Sequence, residues 1–304
     1  MTIVAKIGGA RAVDPAGALA DVAALVADGE DVIVVHGGST AVDDTLEDLG
    51  ETPEYVETPA GVVGRFTDER TIDVFEMVLP GKLNTELVAG LQAEGVNAVG
   101  LSGVDGALLA GPRKSAIRVV EDGKKKVRRG DFSGTIEEVN SDLLATLLEG
   151  GYTPVVTVPM LADGDTPVNA DADRAAAAVA GALDGRLVSL TDVPGVLRDP
   201  EEADTLIERV ESETELDALR DAATGFMHRK VMAAIEALEN GASEAIVADA
   251  NGETPITAAL AGGGTHVLPG AVGREGDGAA GSDETDAGDD GTENTSENEG
   301  AIES

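Results

Sequence analysis

A lysine inside an apolar strand is the first residue of chemical interest. In "TIVAKIGGA", Lys6 sits one residue before the strand end and is followed by Gly8 and Gly9. Lysine is seldom buried without a partner. Lys6 therefore either snorkels to water at the strand end or meets an anion there. A second glycine pair, Gly37 and Gly38, follows His36 in "VVHGGST". Glycine pairs where a strand turns into a helix leave backbone N–H groups free, and a helix start favours an anion. One such pair is an ordinary tight turn. Two of them ending consecutive strands point to phosphate or carboxylate binding. The chain has no G-x-x-x-x-G-K-[ST] and no G-x-G-x-x-G after its first strand. A Walker loop and a dinucleotide-dependent dehydrogenase are both poorly supported.

Other candidates follow along the chain. Asp171 in "PVNADADRAAAAVA" is placed to begin a helix, where an N-cap alone would explain it. Asn169 two residues earlier favours a dual role, with Asp171 as partner to Lys6. "SLTDVPGVLRDP" is a strand ending in Thr191 and Asp192, then Pro194 and Gly195. It reads as a type II turn or as a loop around a nucleotide base, extending to Leu197. Lys230 lies near the start of an amphipathic helix after Gly225, where a surface lysine is the plainer reading. Arg65 follows Gly64 just before a helix. It is either solvated or placed to grip a carboxylate bidentately.

The elements that must position these residues alternate. "TIVAKI", "DVIVVHGG", "VNAVGLSG", "YTPVVTVP", "GRLVSLTDVPG" and "SEAIVAD" read as buried strands. Helices are predicted from Asp14-Pro15 to Ala27, from Ser39 or Thr40 to Leu49, and from Thr67 to Glu94 with a break at Pro80-Gly81. Two more cover "ADADRAAAAVAGAL" and "HRKVMAAIEALENG". From Gly106 to Ile136 the period changes to short β runs between glycines, with a hairpin around Asp122-Gly123. The alternation predicts a three-layer α/β sandwich with a mainly parallel central sheet and an inserted β-hairpin region. Strands ending in "GG", "HGGS" and "GLSG" fit a ligand beyond the sheet's C-terminal edge.

Composition bounds the rest. The 304 residues carry 58 Asp and Glu against 21 Lys and Arg, a formal net charge of −37. The acids are spread over nearly every predicted helix, which suits a solvated surface in a halophilic cytoplasm. Duplex nucleic acid is not an expected partner, because phosphate-neutralising charge is missing except in one segment. There is no Cys, hence no disulfide and no thiolate metal site. No apolar run is long enough to span a bilayer, so a soluble cytoplasmic protein with no membrane partner is expected. Residues 271–304 have no apolar periodicity, and a disordered acidic tail is expected there.

Taken in order, "KIGGA", "VHGGS", "GRFTD", "GLSGVDG", "NADAD", "LTDVPGVL" and "MHRKVMAA" resemble the amino acid kinase family over about residues 1–268. Within it they are most similar to the acetylglutamate and acetylaminoadipate kinases. The branch is the [LysW]-aminoadipate/[LysW]-glutamate kinases, whose substrate is bound to an acidic amino-group carrier protein. The resemblance implies ATP and Mg²⁺, the ion held mainly by nucleotide phosphates with no dedicated protein metal site. Lys6 and Lys230 would stabilise the phosphoryl group in flight, with Asp171 orienting both. His36, Gly37, Gly38, Arg65 and Asn169 would line the substrate side, Arg65 on the free carboxylate. Gly8, Gly9, Thr191, Asp192, Gly195 and Leu197 would hold the nucleotide. Residues 1–180 would form the substrate lobe and 181–270 the nucleotide lobe, in a homodimer. An ordinary N-acetylglutamate kinase and a non-catalytic nucleotide-binding regulator are the competing readings. The acidic helix "GGSTAVDDTLEDL" departs from the pattern. If Asp43 and Asp44 face the pocket, an anionic substrate is less well served.

The segment Gly111–Gly134 gathers eight of the 21 Lys and Arg residues. An exposed edge protected by charge is the plain reading, but acids would do the same in this chain. The resemblance implies a docking surface for the acidic carrier, formed by Arg113, Lys114, Lys124, Lys125, Lys126, Arg128 and Arg129.

Overall fold

In a computed structural model of the protein, residues 1–8, 15–59, 61, 63–121 and 123–274 are described. The expectations for Gly9, for a cap at Asp14, for Asp122 in the hairpin turn and for the tail from residue 275 lie outside the described residues.

The β-branched run Ile3–Ile7 forms β1, followed by α1 (Pro15–Ala27), β2 (Val32–His36) and α2 (Ser39–Asp48). Every residue of β1 and β2 is buried, as central parallel strands require. Two short strands, β3 (Tyr55–Glu57) and β4 (Val63–Arg65), lead to α3 (Glu69–Glu76), whose N-cap Asp68 accepts from the Thr71 N–H at 2.8 Å. The expected break at Pro80-Gly81 is instead a π-helical segment, Met77–Leu83, running into α4 (Asn84–Ala93). The wider turn accommodates a proline that has no N–H to donate.

Next come β5 (Ala98–Gly103), β6 (Leu109–Ala110), β7 (Ala116–Glu121), β8 (Lys124–Arg129), β9 (Glu138–Val139) and α5 (Ser141–Glu149). Helix α5 is not among the predicted elements. Its signal was Asn140, which caps the Leu143 N–H at 3.2 Å, ahead of the helically spaced Leu144, Leu147 and Leu148. The chain closes with β10 (Thr153–Ala162), β11 (Thr166–Val168), α6 (Ala172–Ala182), β12 (Arg186–Thr191), β13 (Arg209–Val210), α7 (Glu213–Ala222), α8 (Gly225–Glu239), β14 (Glu244–Asp249), α9 (Pro255–Leu260) and β15 (Thr265–Val267).

The main sheet runs β13-β15-β14-β12-β1-β2-β10-β6-β9, with β5 and β11 also paired to β10. Pairings β12–β1, β1–β2, β2–β10 and β12–β14 are all parallel. Strand β1 lies between β2 and β12, so the strand order reverses at β1 and opens a crevice past its C-terminal end. Lys6 is in register with Val35 on one side and Ser189 on the other.

Two cores cover the sheet, giving the expected three layers. One joins Val4, Val35 and Leu187 to α2, α3, α5, α6, α7 and α8. The other joins Ala5, Ile7 and Val34 to α1, α4 and α9. Helices α6 and α8 pack on one another, Ala176, Ala180, Ala233 and Ala234 are buried in their shared core, and small residues let helix axes approach closely. A separate four-stranded antiparallel sheet, β4-β3-β7-β8, has its own small core of Val56, Phe66 and Val119. Among the described residues no helix is long and apolar enough to cross a membrane.

One buried acid ties the ends of the chain together. Asp21 of α1, 1% exposed, accepts from the N–H of Ile256 at 2.6 Å, the N–H of Thr257 at 2.9 Å and the Thr257 hydroxyl at 2.6 Å. Asp21→Ala leaves buried donors unpaired and should destabilise the fold by about 1–3 kcal/mol in denaturant unfolding.

Candidate active site

Strand alternation decides which side chains meet at the crevice. Lys6 shares the face of Val4, beneath α6 and α8. Its Nζ lies 2.7 Å from Asp173 Oδ1, and Lys230 Nζ of α8 lies 3.4 Å from the same oxygen. The three side chains are only 8%, 16% and 12% exposed for Lys6, Asp173 and Lys230. Burial and the neighbouring Lys6 charge push the Lys230 ammonium below its ordinary range, against the pull of Asp173. Burial works to raise the Asp173 carboxyl, but the two lysines outweigh it and hold it below the ordinary carboxylate range. In formal charge the cluster is two cations on one anion, with +1 left over.

The expectation that Asp171 orients both lysines is corrected. Asp171 is the N-cap of α6, accepting from the N–H groups of Asp173 at 2.9 Å and Arg174 at 3.2 Å. Both bonds fall on its Oδ1, at the helix start. In "NADAD" the second acid falls in the first turn, on the side facing β1, and so Asp173 reaches the lysines.

Gly37 and Gly38 sit in tight quarters. Gly38 is the N-cap of α2 with no side-chain cap, so the first N–H groups of that helix are not met by a capping side chain. A Cβ on Gly38 would collide with Leu83 and Leu79, and one on Gly37 would come 3.1 Å from the Ala172 Cβ. The α2 start is thus pressed against the α6 start. His36 shares the face of Val34, across the sheet from the Lys6 ammonium. Burial pushes its imidazole down to about 4, so it is neutral at physiological pH. Its Nδ1 meets the Gly37 carbonyl at 3.0 Å, and Nε2 is buried without a partner.

Asn169 is held through its backbone. Its N–H donates to Phe132 O at 2.7 Å, its carbonyl accepts from Gly134 N at 2.8 Å, and its Nδ2 donates to Thr67 Oγ1 at 3.2 Å. Across the crevice Thr191 is buried and donates to the exposed Asp192 at 3.2 Å. Gly195, at φ +155°, packs beneath Thr265, whose hydroxyl accepts from Val196 N at 2.9 Å, and Leu197 bridges to Leu206.

Residues 1–249 match the amino acid kinase family. The chain belongs to the amino acid kinase family. It is 45% identical over 271 residues to the [LysW]-aminoadipate kinase of Thermus thermophilus, covering 87% of this chain and 99% of that one. It is 41% identical over 263 residues to a putative [LysW]-aminoadipate/[LysW]-glutamate kinase of Cenarchaeum symbiosum, covering 85% and 96%. The acetylglutamate kinase of Methanopyrus kandleri is 44% identical over 226 residues, covering 73% and 87%. Among solved structures, N-acetylglutamate synthase from Neisseria gonorrhoeae aligns at TM-score 0.71 and 25% identity over 88% of this chain and 59% of that one. Giardia carbamate kinase shares the fold at TM-score 0.61 and 17% identity, over 88% and 98%.

Two features of this amino acid kinase were not legible beforehand. Arg65, only 5% exposed at its side chain, is already paired inside the protein: Nη1 donates to Asp43, and Nη2 donates to Ser39 Oγ at 2.9 Å and to the Tyr55 hydroxyl at 3.0 Å. Asp43 therefore does face inward. The hairpin, meanwhile, has two unlike faces. Lys126 and Arg128 turn toward Glu121 and Glu54, with Arg128 stacked 4.5 Å from the Phe66 ring centroid. Arg113 is also tied down, its Nε on Asp131 O at 2.7 Å and its guanidinium 3.5 Å over the Phe132 ring. The opposite face carries Arg118, Lys125 and Arg129, all exposed and with no acidic partner among the described residues, around Val127 at 61% exposure. Lys114 and Lys124 are likewise exposed and unpaired.

Asp173→Asn should lower kcat by about 10²-fold or more, since the lysines lose their shared anchor. Asp171→Asn should cost far less in rate and show mainly as lower stability. Because Lys230 is held below the ordinary lysine range, its charge is lost earlier as pH rises. The rate should fall on an alkaline limb set below that range, and Lys230→Arg, always charged, should remove the limb from the pH profile of whatever activity remains.

Proposed function

We propose that this enzyme transfers the γ-phosphoryl group of ATP to the side-chain carboxylate of glutamate or aminoadipate attached to an acidic amino-group carrier protein. The observation that carries the reading is the pair of buried lysines sharing one carboxylate at the sheet's switch point. The acceptor and carrier are inferred from the [LysW]-aminoadipate and [LysW]-glutamate kinases to which the chain is similar. A carboxylate is already ionised at neutral pH, so it needs no general base. Its oxygen attacks the γ-phosphorus, the bond to the β-phosphate oxygen breaks, and ADP and an acyl phosphate result with no proton to move.

Such a transfer rests on in-line placement and on cations around a loose transition state. Lys6 and Lys230 supply two charges, fixed by Asp173 so that they need not reorganise as charge develops. The residual charge of the cluster suits the phosphates of ATP, which Lys6 and Lys230 would hold; Mg²⁺ would supply further positive charge to them. Gly8 and the α2 start, which has no side-chain cap, fit anions, and the Thr191–Leu197 segment fits the nucleotide. In this reading residues 1–180 serve the acid and residues 181–270 the nucleotide. Strand β5, paired only with β10 among the described residues, has an open edge beside α4 that fits a second copy in a homodimer.

The basic face of the hairpin fits the acidic carrier. A cluster of unpaired cations on a molecule of net charge −37 is a local attractor in an otherwise repulsive field. Free N-acetylglutamate, a small acid with no carrier attached, has no use for it. A phosphorylation assay comparing free N-acetylglutamate with carrier-bound glutamate and aminoadipate tests the reading, and turnover of the free acid alone would sink it. Reversing Arg118, Lys125 and Arg129 together should raise KM for carrier-bound substrate about tenfold or more and leave KM for ATP unchanged. Reversing Lys126 alone should do less, because Glu121 already neutralises it.

A further inference from the structure

The Arg65 fork is closed by the protein's own carboxylate. Ser39 and Asp43 stand one turn apart on α2 and both face Arg65. Nη1 donates to Asp43 Oδ1. Nη2 has two protons and three acceptors: Ser39 O at 3.1 Å, Ser39 Oγ at 2.9 Å and the Tyr55 hydroxyl at 3.0 Å. The Tyr55 hydroxyl donates onward to Asp43 Oδ2 at 2.7 Å, so the second carboxylate oxygen is held as well. The guanidinium is further enclosed by the rings of Tyr55 and Phe75, with centroids 5.0 and 5.6 Å away. A carboxylate bound to a buried arginine and a tyrosine hydroxyl is the arrangement a substrate carboxylate would be given.

We propose that Asp43 is an internal competitor for the substrate's free carboxylate at Arg65, occupying the guanidinium in the unliganded enzyme and released from it when substrate binds. The proposal rests on the reading that Arg65 recognises that carboxylate. Two carboxylates on one buried guanidinium repel each other, so the incoming group must displace Asp43 or push it aside. Displacement costs the same free energy for every acid that enters. It therefore raises KM for free and carrier-bound substrates alike, without changing their ratio. The consequence is a threshold. A free small acid must supply the whole displacement from its own contacts. A substrate tethered to a docked carrier arrives at high effective concentration and stays within working range.

The test is Asp43→Asn, which keeps the shape of the side chain and removes the charge. KM is measured for carrier-bound glutamate and for free N-acetylglutamate, with KM for ATP as the internal reference. The expected result is a fall of about tenfold in KM for both acids, with N-acetylglutamate turnover rising out of background, and no change for ATP. Asp43→Ala, which removes the carboxylate and leaves the Tyr55 hydroxyl in place, should shift both values in the same direction, and it stands in should the Asn variant not fold. An unchanged or raised KM for both acids in either folded variant overturns the proposal: Asp43 would then be an orienting partner of Arg65. Absence of carrier-bound turnover in the wild-type enzyme, by contrast, would overturn the functional reading itself.

Discussion

Two ammonium groups and one carboxylate at the end of β1 set the terms for the rest of the molecule. Neither lysine could sit at its observed burial without Asp173, and Asp173 could not stay ionised there without them. The cluster demands that a strand and two helices converge to within a side chain's reach. Strand β1 supplies the switch point. Helices α6 and α8 supply the approach, which their alanine-rich contact permits.

The same economy of positive charge appears elsewhere. Acids outnumber bases by 58 to 21, and away from the hairpin most cations lie beside an acid. Arg65 is surrounded by acceptors, Arg174 meets Glu236 at 2.7 Å, and Arg186 meets Glu244 at 3.1 Å. The outer face of the hairpin stands out because its cations have been left without such partners. The inner face shows that acids were available: Glu54 and Glu121 neutralise Lys126 and Arg128. One hairpin thus carries two electrostatic characters, separated by the alternation of its strands.

The hairpin is not a loose appendage. Its base, Asp131–Gly134, is stitched to the substrate side of the crevice. Asp131, 1% exposed, accepts from the N–H of Thr67 and of Ser133, each at 3.2 Å, while Phe132 N donates to Thr67 O at 2.6 Å and Gly134 N to Asn169 O at 2.8 Å. The segment that bears the cations therefore shares backbone hydrogen bonds with Asn169 and with the strand leading to α3. A partner bound on the outer face would sit on a scaffold continuous with the walls of the site.

Sequence alone determined the strand and helix alternation, the fold class and the family, and it singled out Lys6 and Lys230, which the structure brings to one carboxylate. These depend on local periodicity, on turn residues and on motif order, all of which are properties of short segments. The π-helical passage through Pro80 and helix α5 escaped because proline tolerance and a short leucine-rich turn sequence depend on what packs beside them. What tertiary structure decided was partnership. Asp171 and Asp173 are alike as residue types and two positions apart, and only the docking of α6 on β1 shows which one meets the lysines. Asp43 and Arg65 lie far apart along the chain, so nothing in either segment announces that one occupies the other. The free face of the hairpin is likewise fixed by Phe66 and Val56 covering the opposite side. Local pattern sets what each segment becomes, whereas the pairing of charges is a long-range contact that exists only once the chain has closed on itself.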